Sequence, residues 1–179
     1  KETAGYWRDH LTSQYHDRLI YQHVRSFSRQ HARGIEVSGV LSFIIDSMDK
    51  TKVAYPQYNF AKDKELDKYI RPRLVITCAI AHGFCLDFYI ADDETVFHGG
   101  SCFCEILTRT LAKVQNICRQ KGIPMPMHLF IQSDNTAAQA KNKETATFLA
   151  ALVRKFRFQT ATLNFLIVGH THEDVDQMF

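Results

Sequence analysis

With 179 residues, the chain has the length of a single domain that buries a hydrophobic core. Hydrophobic residues make up 45% of it and charged residues 23%, which is typical of a soluble globular protein. The formal net charge of +3 is too small to identify a nucleic-acid binder by itself. The five cysteines are odd in number and lack the spacing of a disulfide-rich secreted domain, so they predict reduced thiols in an intracellular protein. No segment is apolar over the length of a membrane span and the first residues do not have the layout of a signal peptide, so we expect no membrane partner. Because the chain starts at Lys1 rather than Met, we expect it to be a piece of a longer protein.

The first half of the chain is predicted to contain one long helix followed by three strands. A helix is expected from about Thr3 to Arg33, where apolar residues recur at four-residue spacing. The apolar, β-branched run Val37–Met48 predicts a buried strand, and the charged segment 49–72 with its two prolines predicts an exposed connection. The runs RLVITCAIAHG and FCLDFYIAD follow, and the turn at His82-Gly83 between them predicts a hairpin.

The second half is predicted to alternate between helix and strand. A helix is expected from about Gly99 to Lys121, followed by the strand MHLFIQSD. Asn135 or Thr136 is predicted to cap a helix that runs to about residue 156. The apolar run ATLNFLIVGH then predicts another strand, and the acidic residues after it predict the start of a further helix.

This order of elements indicates the fold class. After the leading helix come three strands, a helix, a strand, a helix, a strand and a helix. Such an order predicts a central mixed five-stranded sheet with helices on both faces, and it is the order of the ribonuclease-H-like α/β fold. We therefore expect an N-terminal helical extension at residues 1–36 and a ribonuclease-H-like core at residues 37–179 that is truncated in its last helix.

Three carboxylates follow apolar runs that are predicted to be strands. Asp46 lies in FIID, Asp134 ends LFIQSD, and a third acid comes from THEDVDQ beyond the run NFLIV. Asp176 is the first choice for the third acid because it shares a helical face with both His172 and Glu173, and Glu173 is the second choice. Since strand ends in an α/β sheet border the crevice where ligands bind, we expect the three acids to meet at one site.

Clustered carboxylates predict a divalent cation, because the acids repel one another unless a cation or a proton neutralises them. Hard oxygen ligands favour Mg²⁺ or Mn²⁺, and a two-metal site clamps the attacking and leaving oxygens of a phosphoryl displacement. His170 or His172 could assist as an acid/base or as a further ligand. Taken singly, each acid has a structural alternative, because Asp46 could cap a turn and Asp134 could cap a helix. The coincidence of three acids with three strand ends favours the metal site.

Two segments of the second half carry a more specific pattern, namely LFIQSDNTAAQAKNKETATFLAALV and FLIVGHTHEDVDQMF, with FIIDSMDK and HDRLIYQ earlier in the chain. The pattern resembles that of an uncharacterised eukaryotic family of transposase-like domains, and the Gly-His-Thr-His run is its most specific part. The resemblance implies an integrase- or transposase-type core. The chain departs from the family pattern at Gln139-Ala140, where members often have Glu-Asn. The residues that carry over by resemblance are Asp46, Asp134, Asn135, Lys141, Asn142, Gly169, His170, Thr171, His172 and Asp176.

Basic residues cluster locally in spite of the mild overall charge. Residues 50–73 hold seven Lys or Arg against three acids, and further basic residues lie near the predicted second helix of the core. Such residues could follow a nucleic-acid backbone through its phosphates, or they could simply be solvated. The residues that we expect to contact nucleic acid are Lys50, Lys52, Asn135, Lys141, Asn142 and Lys143.

The sequence therefore predicts Mg²⁺- or Mn²⁺-dependent cleavage or strand transfer of nucleic acid, with DNA as the first candidate substrate. We expect an intracellular protein, with the nucleus as one candidate location. One alternative is a domesticated, catalytically inactive transposase domain that binds nucleic acid or protein. A second alternative is a calcineurin-like metallophosphoesterase, which the Gly-His-Thr-His run resembles. That class also needs Asp-x-His, Gly-Asp-x-x-Asp and Gly-Asn-His motifs, which the sequence lacks.

Overall fold

The structure is a computed structural model that describes residues 2–35, 39–48, 68–69, 72–92, 99–133, 140–155 and 157–165, with side chains from residue 7 onward. The described helices and strands are α1 (Glu2–Ala32), β1 (Val40–Ser47), β2 (Leu74–Ala81), β3 (Cys85–Asp92), α2 (Gly100–Lys121), β4 (His128–Ser133), α3 (Lys143–Arg154) and β5 (Thr160–Phe165).

A single mixed five-stranded sheet lies at the centre of the described structure, as the sequence predicts. The strand order is β3-β2-β1-β4-β5. β2 runs antiparallel to both of its neighbours, whereas β1, β4 and β5 run parallel to one another. β1 occupies the middle position and is buried along most of its length, which explains why its sequence is a nearly continuous apolar run.

One face of the sheet is covered by α2 and α3, and the main hydrophobic core lies between them and the sheet. Alternate residues of β1, among them Leu41 and Phe43, are fully buried there. They join Leu107 and Val114 of α2 and Leu149 of α3 in one cluster. Leu107 and Val114 are seven residues apart, which is about two helical turns, so both lie on one apolar stripe of α2, and burial of that stripe stabilises the layer.

The carboxyl-terminal half of α1 packs on the opposite face of β1. The side chain of Tyr21 is 1% exposed, and its hydroxyl group lies 3.2 Å from Nε2 of His82. Ser28 donates a hydrogen bond of 2.7 Å to the backbone carbonyl of His82, whose Nδ1 lies 3.1 Å from Oγ of Ser42 in β1. This half of α1 is therefore part of the folded core.

The amino-terminal half of α1 extends beyond the sheet. A helix of 31 residues is about 46 Å long, whereas a strand of eight residues spans about 26 Å. Trp7, Leu11 and Tyr15, which belong to the apolar stripe of the predicted helix, are 58%, 56% and 63% exposed.

The start of α3 differs from the prediction. Asn135 and Thr136, the predicted caps, lie outside the described residues, but the chain at residues 140–142 is turn and bend rather than helix. The N-cap is Asn142, whose Oδ1 accepts a hydrogen bond of 2.8 Å from the backbone N–H of Thr145. The predicted start was therefore too early, because Asn142 supplies an equally good cap closer to the residues that pack on the sheet.

Two further observations concern the cysteines and the length of the helices. All five cysteines are described and all are free thiols, as expected, although only Cys78 and Cys118 are fully buried. In the part of the chain that the structure describes, no helix is long and apolar enough to cross a membrane.

Candidate functional site at the carboxyl edge of the sheet

Three parallel strands end together at one edge of the sheet. Ile45 of β1 lies opposite Ser133 of β4, and Ser133 lies opposite Phe165 of β5. Asp46 follows Ile45 directly and pairs across the sheet with Cys78 of β2. We call the edge of the sheet at which the parallel strands β1, β4 and β5 end the carboxyl edge.

Asp46 lies on the sheet face opposite α2 and α3. Side chains alternate along a strand, so Asp46 shares its face with Ile44, which packs with Cys78 and Ile80 in a second small cluster. The Asp46 carboxylate is half-buried, and its Oδ1 accepts a hydrogen bond of 2.8 Å from the backbone N–H of Ser47. Burial, and next the negative charge of Asp46, raise the pKa of the Cys78 thiol to about 11. The acid therefore stands near the end of the central strand in a partly buried place.

Two side-chain amides lie on β4 and β5, each one residue before the end of its strand at the carboxyl edge. Gln132 of β4 is opposite Ile44 in β1 and opposite Asn164 in β5. The Gln132 side chain is fully buried, and its Oε1 accepts a hydrogen bond of 3.0 Å from Nδ2 of Asn164. Its Nε2 has no hydrogen-bond partner among the described residues. Neither amide is among the site residues predicted from the sequence, although a glutamine inside the apolar run LFIQS is a signal that could have revealed the pair.

On the opposite face of the sheet, a small open pocket adjoins the end of β1. The hydroxyl groups of Ser47 and Thr77 face each other there at 2.8 Å. The pocket is also lined by Gly99, Cys102 and Phe103, at the beginning of α2. The amino end of α2 therefore lies at the carboxyl edge.

The amino end of α3 lies beside that of α2. A Cβ atom on Gly100 would stand 2.6 Å from Oδ1 of Asn142, so a larger residue at this position would displace the Asn142 side chain. A hydrogen bond of 3.1 Å from Ser101 to Glu144 links the two first turns. Since the amino end of a helix carries a partial positive charge, two such ends at one edge favour an anionic ligand there.

Among the predicted nucleic-acid contacts, Lys141, Asn142 and Lys143 are described and lie at this edge. Lys141 is exposed, and its ammonium nitrogen lies 5.5 Å from the ring centroid of Phe165, the last residue of β5. Lys143 is exposed at the first position of α3. Asn142 uses its side-chain oxygen to cap α3, so its role in the described structure is that of a helix cap.

Asp46 and these residues lie at the same edge of the sheet, but the Asp46 side chain is on the face opposite α2 and α3. The other predicted ligands lie outside the described residues. Within the described ranges, no group of three His, Cys, Asp or Glu side chains could hold a metal ion. Asp134 is the residue that follows Ser133 in the chain. The predicted site residues that lie outside the described ones are Lys50, Lys52, Asp134, Asn135, His170, His172, Glu173 and Asp176.

The fold and the site define an α/β domain with one mixed sheet and a polar site where its parallel strands end. Residues 61–179 match DUF7869, a family of domains of unknown function, and the chain belongs to that family. No curated protein and no solved structure matches the chain.

The family match does not include β1. It starts at residue 61, whereas β1 ends at Ser47 and lies between β2 and β4 in the sheet. Asp46, the described acid of the candidate site, therefore comes from a strand that precedes the matched segment in sequence and is central to the same sheet.

Proposed function

We propose that the protein is a ribonuclease-H-like core of transposase or integrase type that cleaves or transfers strands of nucleic acid with a divalent cation. The observation that carries the proposal is the register of β1 and β4. Ile45 lies opposite Ser133, and the next residues in the two chains are Asp46 and Asp134. Adjacent strands are about 4.8 Å apart, so a carboxylate pair that continued this register would be close enough to share a cation.

The strand order supports the fold part of the proposal. Ribonuclease-H-like domains are built on a sheet in which only the second strand is reversed and the first strand lies in the middle. The described sheet has the order β3-β2-β1-β4-β5, with β2 the antiparallel strand. Active-site acids of an open α/β sheet stand at the carboxyl ends of its parallel strands, which is where Asp46 lies.

The described surroundings of Asp46 fit an oxygen-liganded cation. The carboxylate is half-buried at a strand end, and the buried Gln132 amide near it lacks a partner among the described residues. We propose that Asp46, Asp134 and Asp176 hold Mg²⁺ or Mn²⁺, with Glu173 as the alternative third acid. The bound cation would lower the pKa of the attacking oxygen and neutralise charge on the leaving oxygen.

The positive features of the carboxyl edge suit a phosphate backbone. Lys141 and Lys143 are exposed there, and the amino ends of α2 and α3 point towards the same edge. Such contacts position a phosphodiester without reading its bases, so we propose nucleic acid, and DNA in the first place, as the substrate. His170 and His172 are proposed to assist with proton transfer.

The test is cleavage of supercoiled plasmid DNA in the presence of Mn²⁺ or Mg²⁺. We expect cleavage by the unaltered protein, and a loss of at least about 100-fold in Asp46→Asn and in Asp134→Asn. Asp92→Asn is the matched control, because it makes the same change at the end of β3, two strands away from β1. Equal cleavage by all four proteins would reveal a contaminating nuclease and contradict the proposal, whereas hydrolysis of a small phosphodiester alone would favour the metallophosphoesterase alternative.

One observation favours an inactive domesticated domain as the second candidate. Ala140 stands where members of the resembled family often have a polar residue, and it is fully buried in the main core. An inactive domain would bind DNA without cleaving it. It would have no Mn²⁺ site that depends on Asp134, so Asp134→Asn would leave Mn²⁺ binding unchanged. Titration with Mn²⁺ alone therefore separates the two candidates.

A further inference from the structure

One side of α1 carries a line of arginines. Their spacings along the chain are seven, four and four residues, so on a helix with 3.6 residues per turn they lie within a sector of about 80°. Residues 18–35 contain no Asp or Glu, so this segment is basic without an acid of its own. We call these side chains the arginine stripe, which consists of Arg18, Arg25, Arg29 and Arg33.

The arginine stripe is accessible and flanks the side of α1 that packs on the sheet. Arg25 is half-buried, with its guanidinium carbon 5.8 Å from the ring centroid of the buried Tyr21, and the other three members of the stripe are exposed. α1 packs on the face of the sheet opposite α2 and α3, which is also the face that carries the Asp46 side chain. The stripe and the candidate site are therefore on the same side of the sheet.

Stabilisation of the helix accounts for only part of the arginine stripe. Basic side chains at the carboxyl end of a helix interact favourably with its macrodipole, which explains Arg29 and Arg33. This effect is confined to the last turn. Arg18 and Arg25 lie about 21 Å and about 10 Å before the end of α1, so the macrodipole does not explain them.

We propose that the arginine stripe is a docking surface for the phosphate backbone of duplex DNA, separate from the contacts at the carboxyl edge. The proposal depends on charge complementarity between an acid-free row of guanidinium groups and a partner with a negative charge at every phosphate. From Arg18 to Arg33 the stripe is about 22 Å long, which is the length of about six or seven base pairs at 3.4 Å each. Guanidinium groups can bind two phosphate oxygens at once through parallel N–H donors. Docking requires neither a cation nor cleavage, so it goes beyond the proposed function, and α1 precedes the segment 61–179 that matches the domain family.

A nucleic-acid backbone fits the stripe better than a membrane surface does. A helix that lies in a membrane interface has a continuous apolar face opposite its basic face. By helical spacing, the side of α1 opposite the arginine stripe is mixed, because its exposed residues are Asp9, His16, Ile20, His23 and Phe27. Two apolar side chains among polar ones do not form such a face.

The experiment measures how DNA affinity depends on salt. Binding of a labelled duplex of about 20 base pairs is followed by fluorescence anisotropy in the presence of a chelator, from about 50 to about 300 mM salt. In the double variant Arg18→Gln/Arg33→Gln we expect the slope of log affinity against log salt to become shallower by about 2, because two phosphate contacts are lost. Affinity at about 0.1 M salt should fall by about 10- to 100-fold. Urea denaturation checks that the variant remains folded.

Two matched variants separate the stripe from net charge. Arg109→Gln/Arg154→Gln removes the same charge from exposed positions of α2 and α3, on the other face of the sheet, and it should keep the slope of the unaltered protein. Arg18→Lys/Arg33→Lys retains both charges and should also keep the slope, since counterion release depends on charge. If the double glutamine variant does not fold, Arg18→Gln alone decides the question with an expected change of about 1 in the slope.

The outcomes are distinct from those of the cleavage test. Equal slopes for the stripe variant and the control variant would contradict the proposal, as would the absence of duplex binding by the unaltered protein. Binding to phosphatidylserine vesicles in place of DNA, lost in the stripe variant, would assign the stripe to a membrane and overturn the proposal. A shallower slope in the stripe variant supports the docking surface even if the unaltered protein cleaves no plasmid, whereas cleavage with an unchanged slope leaves the proposed function standing and the docking surface wrong.

Discussion

At the scale of the single residue, His31 joins α1 to the rest of the domain. It is 1% exposed, its Nδ1 accepts a hydrogen bond of 3.2 Å from the backbone N–H of Gly39, and its Nε2 lies 2.9 Å from the carbonyl oxygen of Pro124. Because the first bond occupies Nδ1 as an acceptor, Nε2 carries the proton and donates to Pro124. We predict that His31→Leu lowers the free energy of unfolding by about 2–4 kcal/mol in urea denaturation, since it leaves both backbone groups unpaired. His23→Leu, at an exposed position of the same helix, should change it by less than about 0.5 kcal/mol, and equal effects of the two substitutions would contradict this role of His31.

Ionisation of the Cys85 thiol should make the free energy of unfolding depend on pH in the alkaline range. Burial, and next the negative charge of Asp87, raise the pKa of this thiol from 9.0 to about 11, while the charge of Lys113 opposes them. The folded protein therefore holds the thiol proton more tightly than the unfolded chain, so this contribution is complete below pH 9 and is lost as the pH rises to 11. We predict that the free energy of unfolding of the unaltered protein falls between pH 9 and 11, and that it falls less in Cys85→Ala. The two decreases should differ by on the order of 1 kcal/mol after allowance for solvent screening. The difference between the two proteins should be constant from pH 7 to 8.5, and a constant difference up to pH 11 would disprove the raised pKa.

At the scale of the element, the two halves of α1 should contribute very differently to stability. The first half extends past the sheet with Trp7 and Tyr15 exposed, whereas Tyr21 and Ser28 in the second half are buried against the strands. We predict that deletion of residues 1–14 changes the free energy of unfolding by less than about 1 kcal/mol, since Trp7 and Leu11, the large apolar side chains described in that segment, are more than half exposed. Deletion of residues 1–32 should cost several times more. A large loss from the shorter deletion, measured by urea denaturation, would show that the exposed half supports the fold.

The elements also differ in how far the sequence predicts them. The hairpin of β2 and β3 was predicted correctly because its turn at His82-Gly83 is a strong local signal, and Gly83 has a positive φ of 85°. The start of α3 was predicted wrongly, because Asn135, Thr136 and Asn142 are all acceptable caps and only packing selects one. Helical spacing likewise predicted α1, but periodicity contains no information on where the sheet beneath a helix ends.

At the scale of the whole molecule, the candidate site is assembled from segments far apart in sequence. The position of Asp46 near the end of β1 could be predicted, because an acid that ends an apolar run is a local pattern. Gln132 and the position of Lys141 over Phe165 could not, because both depend on the pairing of β4 with β5 and on the path of the chain after β4. Strand order and register are properties of the complete sheet, so the neighbours of an acid follow only from the assembled fold.

The central position of β1 predicts that the segment matching the domain family is not an independent folding unit. A fragment of residues 61–179 lacks β1, and so loses the fully buried Leu41 and Phe43 and the hydrogen bonds that β1 makes to strands on both sides. Each such side chain contributes about 1.5–3 kcal/mol, and the total loss is comparable with the roughly 5–15 kcal/mol by which a domain is stable. We predict that the fragment shows no cooperative transition in urea and no near-ultraviolet circular dichroism, whereas residues 15–179, which keep β1, show both. A cooperative transition of the shorter fragment would mean that β2 and β4 can close the sheet without β1, and Asp46 would then be dispensable for the architecture of the site.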